Sequence, residues 1–374
     1  MELVTSGGVK LNYIHVANAM NKLVKAAKRG RSWTLEGNRL RRDPRFAKLL
    51  DLVRAHCPSF GGREGANVLH ALGVLHADLG AATVGPELAA QLGDFVERKA
   101  RGMNPQDVAN SLNALSKLEA AAAAMSPTGW AGLAQAVERT ACEMNSQGIA
   151  SSLNALCKLE AAAAVVSPAG WTGLARSAER TAREMNPQAV ANTLNALNKI
   201  EAAAAVVSTT GWKRLAEAAE RTAPEMKPQA VANTLNALCR IEAAAAVVSP
   251  VGWKRLAEAT ERTAREMNPQ GIANSLNALC KLEAAAAAVS PTGWVGLAEA
   301  VERTAGQMNE QGVSNSLDAL GNLPAAAAEL SPSARKHLEA SAKREAPKMT
   351  WEGRKMTLRG CKKLKLRIPS ALSE

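Results

Sequence analysis

The sequence predicts an all-α, right-handed solenoid of helix-hairpin repeats, and three observations predict it. Met103-Asn104-Pro105-Gln106 returns at a step of 41 residues, as Met144-Asn145-Ser146-Gln147, Met185-Asn186-Pro187-Gln188, Met226-Lys227-Pro228-Gln229, Met267-Asn268-Pro269-Gln270 and Met308-Asn309-Glu310-Gln311. A tryptophan keeps the same step at Trp130, Trp171, Trp212, Trp253 and Trp294. The composition is 47% hydrophobic but only 3% aromatic, so the core must come from alanine and leucine, which favour helix. Repeats of this length stack into arrays that present a long surface to a partner.

Within a repeat, Asn104-Pro105 is a helix start: Asn accepts from orphan backbone N–H groups, and Pro suits the first helical position. Val108, Leu112, Leu115 and Leu118 then lie on one helical face. The helix is expected to run through Lys117 and Glu119 into the alanine tract. Ser126-Pro127 opens a second helix, whose apolar stripe is Trp130, Leu133, Val137, Ala141 and Met144. Each helix is expected to be roughly 15–20 residues long. The tryptophans fall on the apolar stripe and are expected in the core.

Three segments follow along the chain. Residues 1–102 are divergent basic repeats of about two hairpins, with Ala66-Asn67-Val68-Leu69-His70-Ala71-Leu72 echoing Ala109–Leu115. Residues 103–348 are six 41-residue repeats, and residues 349–374 form a basic terminal half-repeat. The net charge of +12 sits at the ends: residues 1–102 carry 16 Lys and Arg against 9 Asp and Glu, and residues 333–374 carry 12 against 4. A basic chain points towards nucleic acid, although the middle is near neutral.

Six cysteines stand without a CxxC pair, which disfavours a disulfide framework or zinc site and fits a reducing compartment. No apolar run approaches the ~20 residues of a membrane span, and no targeting peptide is evident. The five histidines form no HExxH-like pair, and no phosphate-cradling loop or nucleophile elbow occurs. The expectation is a protein that is not an enzyme, with no cofactor, metal, membrane contact or small-molecule substrate.

Chemistry concentrates on the first helix of each repeat. Gln106, Asn110, Asn113 and Lys117 project opposite the apolar face, and the set recurs along the array, with Ser151 in place of one Asn and Gln311, Asn315, Asp318 and Asn322 in the last repeat. It yields an amide row of Asn113, Asn154, Asn195, Asn236 and Asn277, and a cation row of Lys117, Lys158, Lys199, Arg240 and Lys281. Amides pair with base edges and cations with phosphates. A near-constant row grips rather than reads, and the variable slots, such as Gly148 and Ser116, hold mostly small residues, so sequence specificity is expected to be low. The basic ends add candidates for phosphate contact: Lys25, Lys28, Arg29, Arg31, Arg39, Arg41, Arg42 and Arg45 at one, Arg354, Lys355, Arg359, Lys362, Lys363, Lys365 and Arg367 at the other. The recurring Glu-Arg-Thr of the second helix, first at Glu138-Arg139-Thr140, reads as a salt-bridged outer face.

The phrases Met-Asn-Pro-Gln-x-Val-Ala-Asn-x-Leu-Asn-Ala-Leu-x-Lys-Leu and Ser-Pro-x-Gly-Trp resemble the octotricopeptide repeats of algal organelle proteins. More distantly, they are similar to the leucine-rich units of FAST-kinase-like mitochondrial RNA proteins. The resemblance spans about residues 16–365. It implies an α-solenoid that binds single-stranded RNA and acts in organelle RNA processing, stability or translation, in mitochondrion or chloroplast, together with other proteins of an RNA-processing complex. Without that implied address the expected location is cytoplasmic. Leu112-Asn113-Ala114-Leu115-Ser116-Lys117 also resembles the SKWP repeats of plant-pathogen secreted effectors, which implies the alternative of a protein-binding scaffold.

Overall fold

A computed structural model describes residues 11–27, 39–79 and 84–372. No strand occurs among the described residues. By contacts the chain divides into two compact units, Met1–Ala178 with Lys199–Val207, and Glu179–Asn198 with Ser208–Glu374. In chain order the helices are α1 (Tyr13–Ala27), α2 (Pro44–His56), α3 (Gly62–Leu79), α4 (Pro86–Lys99), α5 (Pro105–Leu115), α6 (Glu119–Ala123), α7 (Pro127–Thr140), α8 (Ser146–Leu156), α9 (Glu160–Ala163), α10 (Pro168–Thr181), α11 (Pro187–Lys199) and α12 (Glu201–Ala204). They continue as α13 (Thr209–Thr222), α14 (Pro228–Leu238), α15 (Glu242–Ala245), α16 (Pro250–Thr263), α17 (Pro269–Lys281), α18 (Glu283–Ala287), α19 (Pro291–Ala305), α20 (Glu310–Asn322), α21 (Pro324–Ala328), α22 (Pro332–Glu345) and α23 (Trp351–Leu364).

Each unit is a stretch of all-α solenoid in two layers. In the first unit α1, α3, α5 and α8 pack in succession, and α4 packs on α7. In the second, α14, α17, α20 and α23 form one layer, and α13, α16, α19 and α22 the other. Leucines at one slot of the first helices, Leu112 and Leu153 in one unit and Leu235, Leu276 and Leu317 in the other, are fully buried, each worth about 1.5–3 kcal/mol. The five repeat tryptophans lie in the core at 5–8% exposure.

The helix starts are built as the sequence predicts. Asn104 Oδ1 accepts from the Asp107 N–H at 2.9 Å, and Asn145, Asn268 and Asn309 cap their helices in the same way. Ser126, Ser208, Ser249 and Ser290 cap the second helices. Lys227 occupies one of these cap positions and supplies no side-chain acceptor.

The first helix is shorter than expected. It ends near Leu115 or its equivalents, and the alanine tract forms a separate single turn such as α6 or α15. The break is the same every time: Leu118 takes φ −105°, ψ 73°, and Leu282 takes φ −107°, ψ 80°. Packing is the cause. The detached turn docks on the second helix of the preceding repeat, α6 on α4, α15 on α13 and α18 on α16. There Ala121, Ala244 and Ala285 are fully buried, and only a methyl-sized side chain permits so close an approach.

The Glu and Arg of Glu-Arg-Thr are inter-repeat latches rather than chiefly an ion-paired face. The Glu carboxylate accepts from the capping serine 29 residues on: Ser126 Oγ donates to Glu97, Ser167 to Glu138, Ser208 to Glu179, Ser249 to Glu220, Ser290 to Glu261 and Ser331 to Glu302. The Thr128 and Ser126 hydroxyls hold the Glu97 carboxyl below its usual range, and those of Ser331 and Ser333 do the same for Glu302. The Arg reaches back 36 residues to a methionine carbonyl: Arg139 to Met103, Arg221 to Met185, Arg262 to Met226, Arg303 to Met267. The Thr hydroxyl returns to the carbonyl four residues earlier, as Thr222 does to Ala218 at 2.8 Å. Ion pairs are present but longer, with Arg214–Glu179 at 3.7 Å and Arg255–Glu220 at 3.9 Å.

Candidate nucleic-acid interface

The first helices bury Val108, Leu112 and their equivalents and turn the opposite side chains outwards. Gln106, Gln147, Gln188, Gln229 and Gln270 are exposed, and so are Lys158, Lys199, Arg240 and Lys281. Asn113, Asn154, Asn195 and Asn236 are half-buried, as is Lys117. Asn277 is 7% exposed and belongs with the buried residues, so it is the least available of the amides.

The thiols between the rows report how close the cations stand. In the first unit Cys157 feels both Lys199 and Lys158; in the second, Cys239 feels Lys281 and Arg240. Burial pushes both thiols up, and the neighbouring cations only partly offset it. Neighbouring repeats therefore bring successive members of the cation row within electrostatic reach of one half-buried group. Each thiol donates to the Asn carbonyl three residues earlier, Cys157 to Asn154 at 3.1 Å and Cys239 to Asn236 at 3.2 Å.

The rows end in α20 and α23. Asp318 takes the slot of Asn113 and Asn322 the slot of Lys117. Arg359 Nε donates to Asp318 Oδ1 at 2.6 Å, and Lys363 Nζ donates to Asn322 Oδ1. Lys362 and Lys363 are both exposed, and Lys363 is tied to Asn322. Arg41 and Arg42 are exposed on a helical turn over residues 39–42, and Lys25 is exposed on α1. Lys28, Arg29 and Arg31 lie outside the described residues.

Two features escaped sequence reasoning, one repeated and one single. A buried hydroxyl eight residues after each repeat methionine donates to its sulfur: Ser111 to Met103, Ser152 to Met144, Thr193 to Met185, Thr234 to Met226, Ser275 to Met267 and Ser316 to Met308, at 3.5–3.8 Å. The restriction of that slot to Ser or Thr in every repeat was its signal. The other feature is Trp351, which stands outside the buried tryptophan series at 72% exposure.

Six segments match a known family model. Residues 87–112, 132–153, 175–194, 213–235, 254–276 and 297–317 are similar to the family described as Protein of unknown function (DUF1601). Each matched segment runs from a second helix through the methionine turn into the next first helix, the stretch that carries the hydroxyl–sulfur contact. No curated protein matches the chain. Among solved structures, one described as "Homology model of the full-length AP-3 complex in an intermediate open conformation" is similar over 94% of this chain and 76% of that one, at 10% identity and a TM-score of 0.28. Among the described residues no group of His, Cys, Asp and Glu could hold a metal ion, and no helix is long and apolar enough to cross a membrane.

Proposed function

We propose that this helical-repeat scaffold is a non-enzymatic binder of single-stranded RNA that grips its ligand along the exposed face of the first helices. The observation that carries the reading is the placement of exposed cations one repeat apart, Lys158 and Lys199 in one unit and Arg240 and Lys281 in the other, beside half-buried amides. The cations meet phosphates, and the amides meet the edges of unstacked bases. Because the set scarcely changes between repeats, the grip is largely indifferent to sequence. A role in organelle RNA processing, stability or translation follows from the resemblance of the repeats alone.

The test is a titration of the full chain with a labelled single-stranded RNA. Affinity is expected to fall about tenfold or more between ~50 and ~200 mM salt. The double variants Lys158→Gln/Lys199→Gln and Arg240→Gln/Lys281→Gln are expected to weaken binding without loss of helicity, since these side chains are exposed. Absence of RNA binding, or binding indifferent to salt and to these variants, overturns the reading in favour of a protein partner.

A further inference from the structure

The last helix of the array departs from its repeat in a way that creates a second surface. Neighbouring first helices approach through small residues. A Cβ on Gly73 would stand 3.0 Å from Ala114 Cα, and one on Gly353 would stand 3.1 Å from Ser314 Oγ. A Cβ on Gly360 would stand 2.4 Å from the Leu317 carbonyl carbon. The slots that receive the next helix are those of Ala109 and Ser116, filled in α20 by Ser314 and Gly321. In α23 the same slots hold Lys355 and Lys362, both exposed, and the slot of Pro105 holds Trp351.

On a helical wheel Trp351, Lys355 and Lys362 share one side of α23, opposite the buried Thr357, Gly360, Cys361 and Leu364. Lys355 Nζ stands 5.0 Å from the centre of the Trp351 ring, a cation–π distance. The geometry points to this side of α23 as a nucleobase-stacking site: a base of single-stranded RNA stacks on Trp351 while Lys355 and Lys362 meet the flanking phosphates. The inference rests on the RNA reading above and adds a place and a contact to it. An anionic membrane is a poorer match, because the apolar side of α23 is already buried in the fold and leaves no face to insert.

Two ligands of equal length separate stacking from charge: an oligouridylate and a ribose–phosphate oligomer without bases. Trp351→Ala is expected to weaken oligouridylate binding by about five- to a hundredfold and to leave the abasic oligomer unchanged. Lys355→Gln/Lys362→Gln is expected to weaken both, and Trp351→Phe to retain most of the affinity. Unaltered melting of Trp351→Ala checks that the fold is intact. The inference fails if Trp351→Ala binds oligouridylate like the wild type, if it loses both oligomers equally, or if its loss appears only on phosphatidylserine vesicles or an acidic peptide. Should Trp351→Ala be silent while Lys158→Gln/Lys199→Gln weakens binding, the stacking site falls and the first-helix reading stands. Should the wild-type chain bind no oligouridylate, both fall.

Discussion

Ser249 Oγ donates to Glu220 Oε2 at 2.7 Å while accepting from the Gly252 N–H at 2.9 Å. One hydroxyl therefore caps a helix and fastens it to the repeat before. Removing the carboxylate leaves the cap but loses the fastening. Glu220→Ala is expected to cost about 1–2 kcal/mol, the worth of a partly buried hydrogen bond to a charged group. Native-state hydrogen exchange should show the loss on α13 and α16 first, since stability in arrays is local. Unchanged exchange in both helices contradicts the latch.

Lys227 stands where the other repeats have a capping Asn, and it makes no side-chain cap. Lys227→Asn is expected to add about 1 kcal/mol to the local stability of α14. Urea unfolding followed by exchange at Val231 and Ala232 checks it; a neutral or destabilising result rules out a cap deficit.

Two glycines in the second unit predict opposite outcomes for the same substitution. A Cβ at Gly360 meets the Leu317 backbone, whereas one at Gly296 meets nothing within 4 Å. Gly360→Ala must push α23 off α20 and is expected to cost about 3 kcal/mol. Gly296→Ala lies in the middle of α19 and is expected to gain about 0.5–1 kcal/mol from the reduced freedom of the unfolded chain. Equal effects would mean that the close approach of α20 and α23 is wrong.

The six thiols should react in three tiers. Cys142 is exposed and is expected to be alkylated first. Cys157, Cys239 and Cys280 are half-buried with thiols raised by burial, and should follow slowly. Cys57 and Cys361 are buried, and burial pushes their thiols up to about 11. Being acids with raised values they stay protonated through neutral pH, so their thiolate appears only as the pH climbs towards that value. Mass spectrometry of timed alkylation at pH 8 reads the order; early modification of Cys361 contradicts its placement.

What could be read from the residues was whatever is local or strictly periodic. Asn104 and Ser126 announce their helices because a cap contacts groups within three residues, and the tryptophan series announces a core because it rides the apolar stripe. The break at Leu118 was not readable: Glu119–Ala123 has good helix propensity, and the tract bends away only because α4 offers a surface for Ala121. The latches were hidden for a related reason. Glu138 and Arg139 look like a solvated charge pair until the partners 29 and 36 residues away are folded alongside them. On the candidate interface, spacing put Lys158 and Lys199 on an open face, but it could not show that Lys363 is drawn to Asn322. That pairing exists because Asn322 interrupts the cation row one repeat earlier.

The latches also bear on how such a chain changes over evolutionary time. The Glu latches run 29 residues ahead, as Glu220 to Ser249, and the Arg latches 36 residues behind, as Arg262 to Met226. Unequal crossing-over that adds or deletes one 41-residue register therefore recreates both contacts at the junction. An insertion of any other length severs them. The gene can lengthen or shorten its array in whole registers without inventing a new interface, so array length is open to selection separately from the chemistry of the repeat.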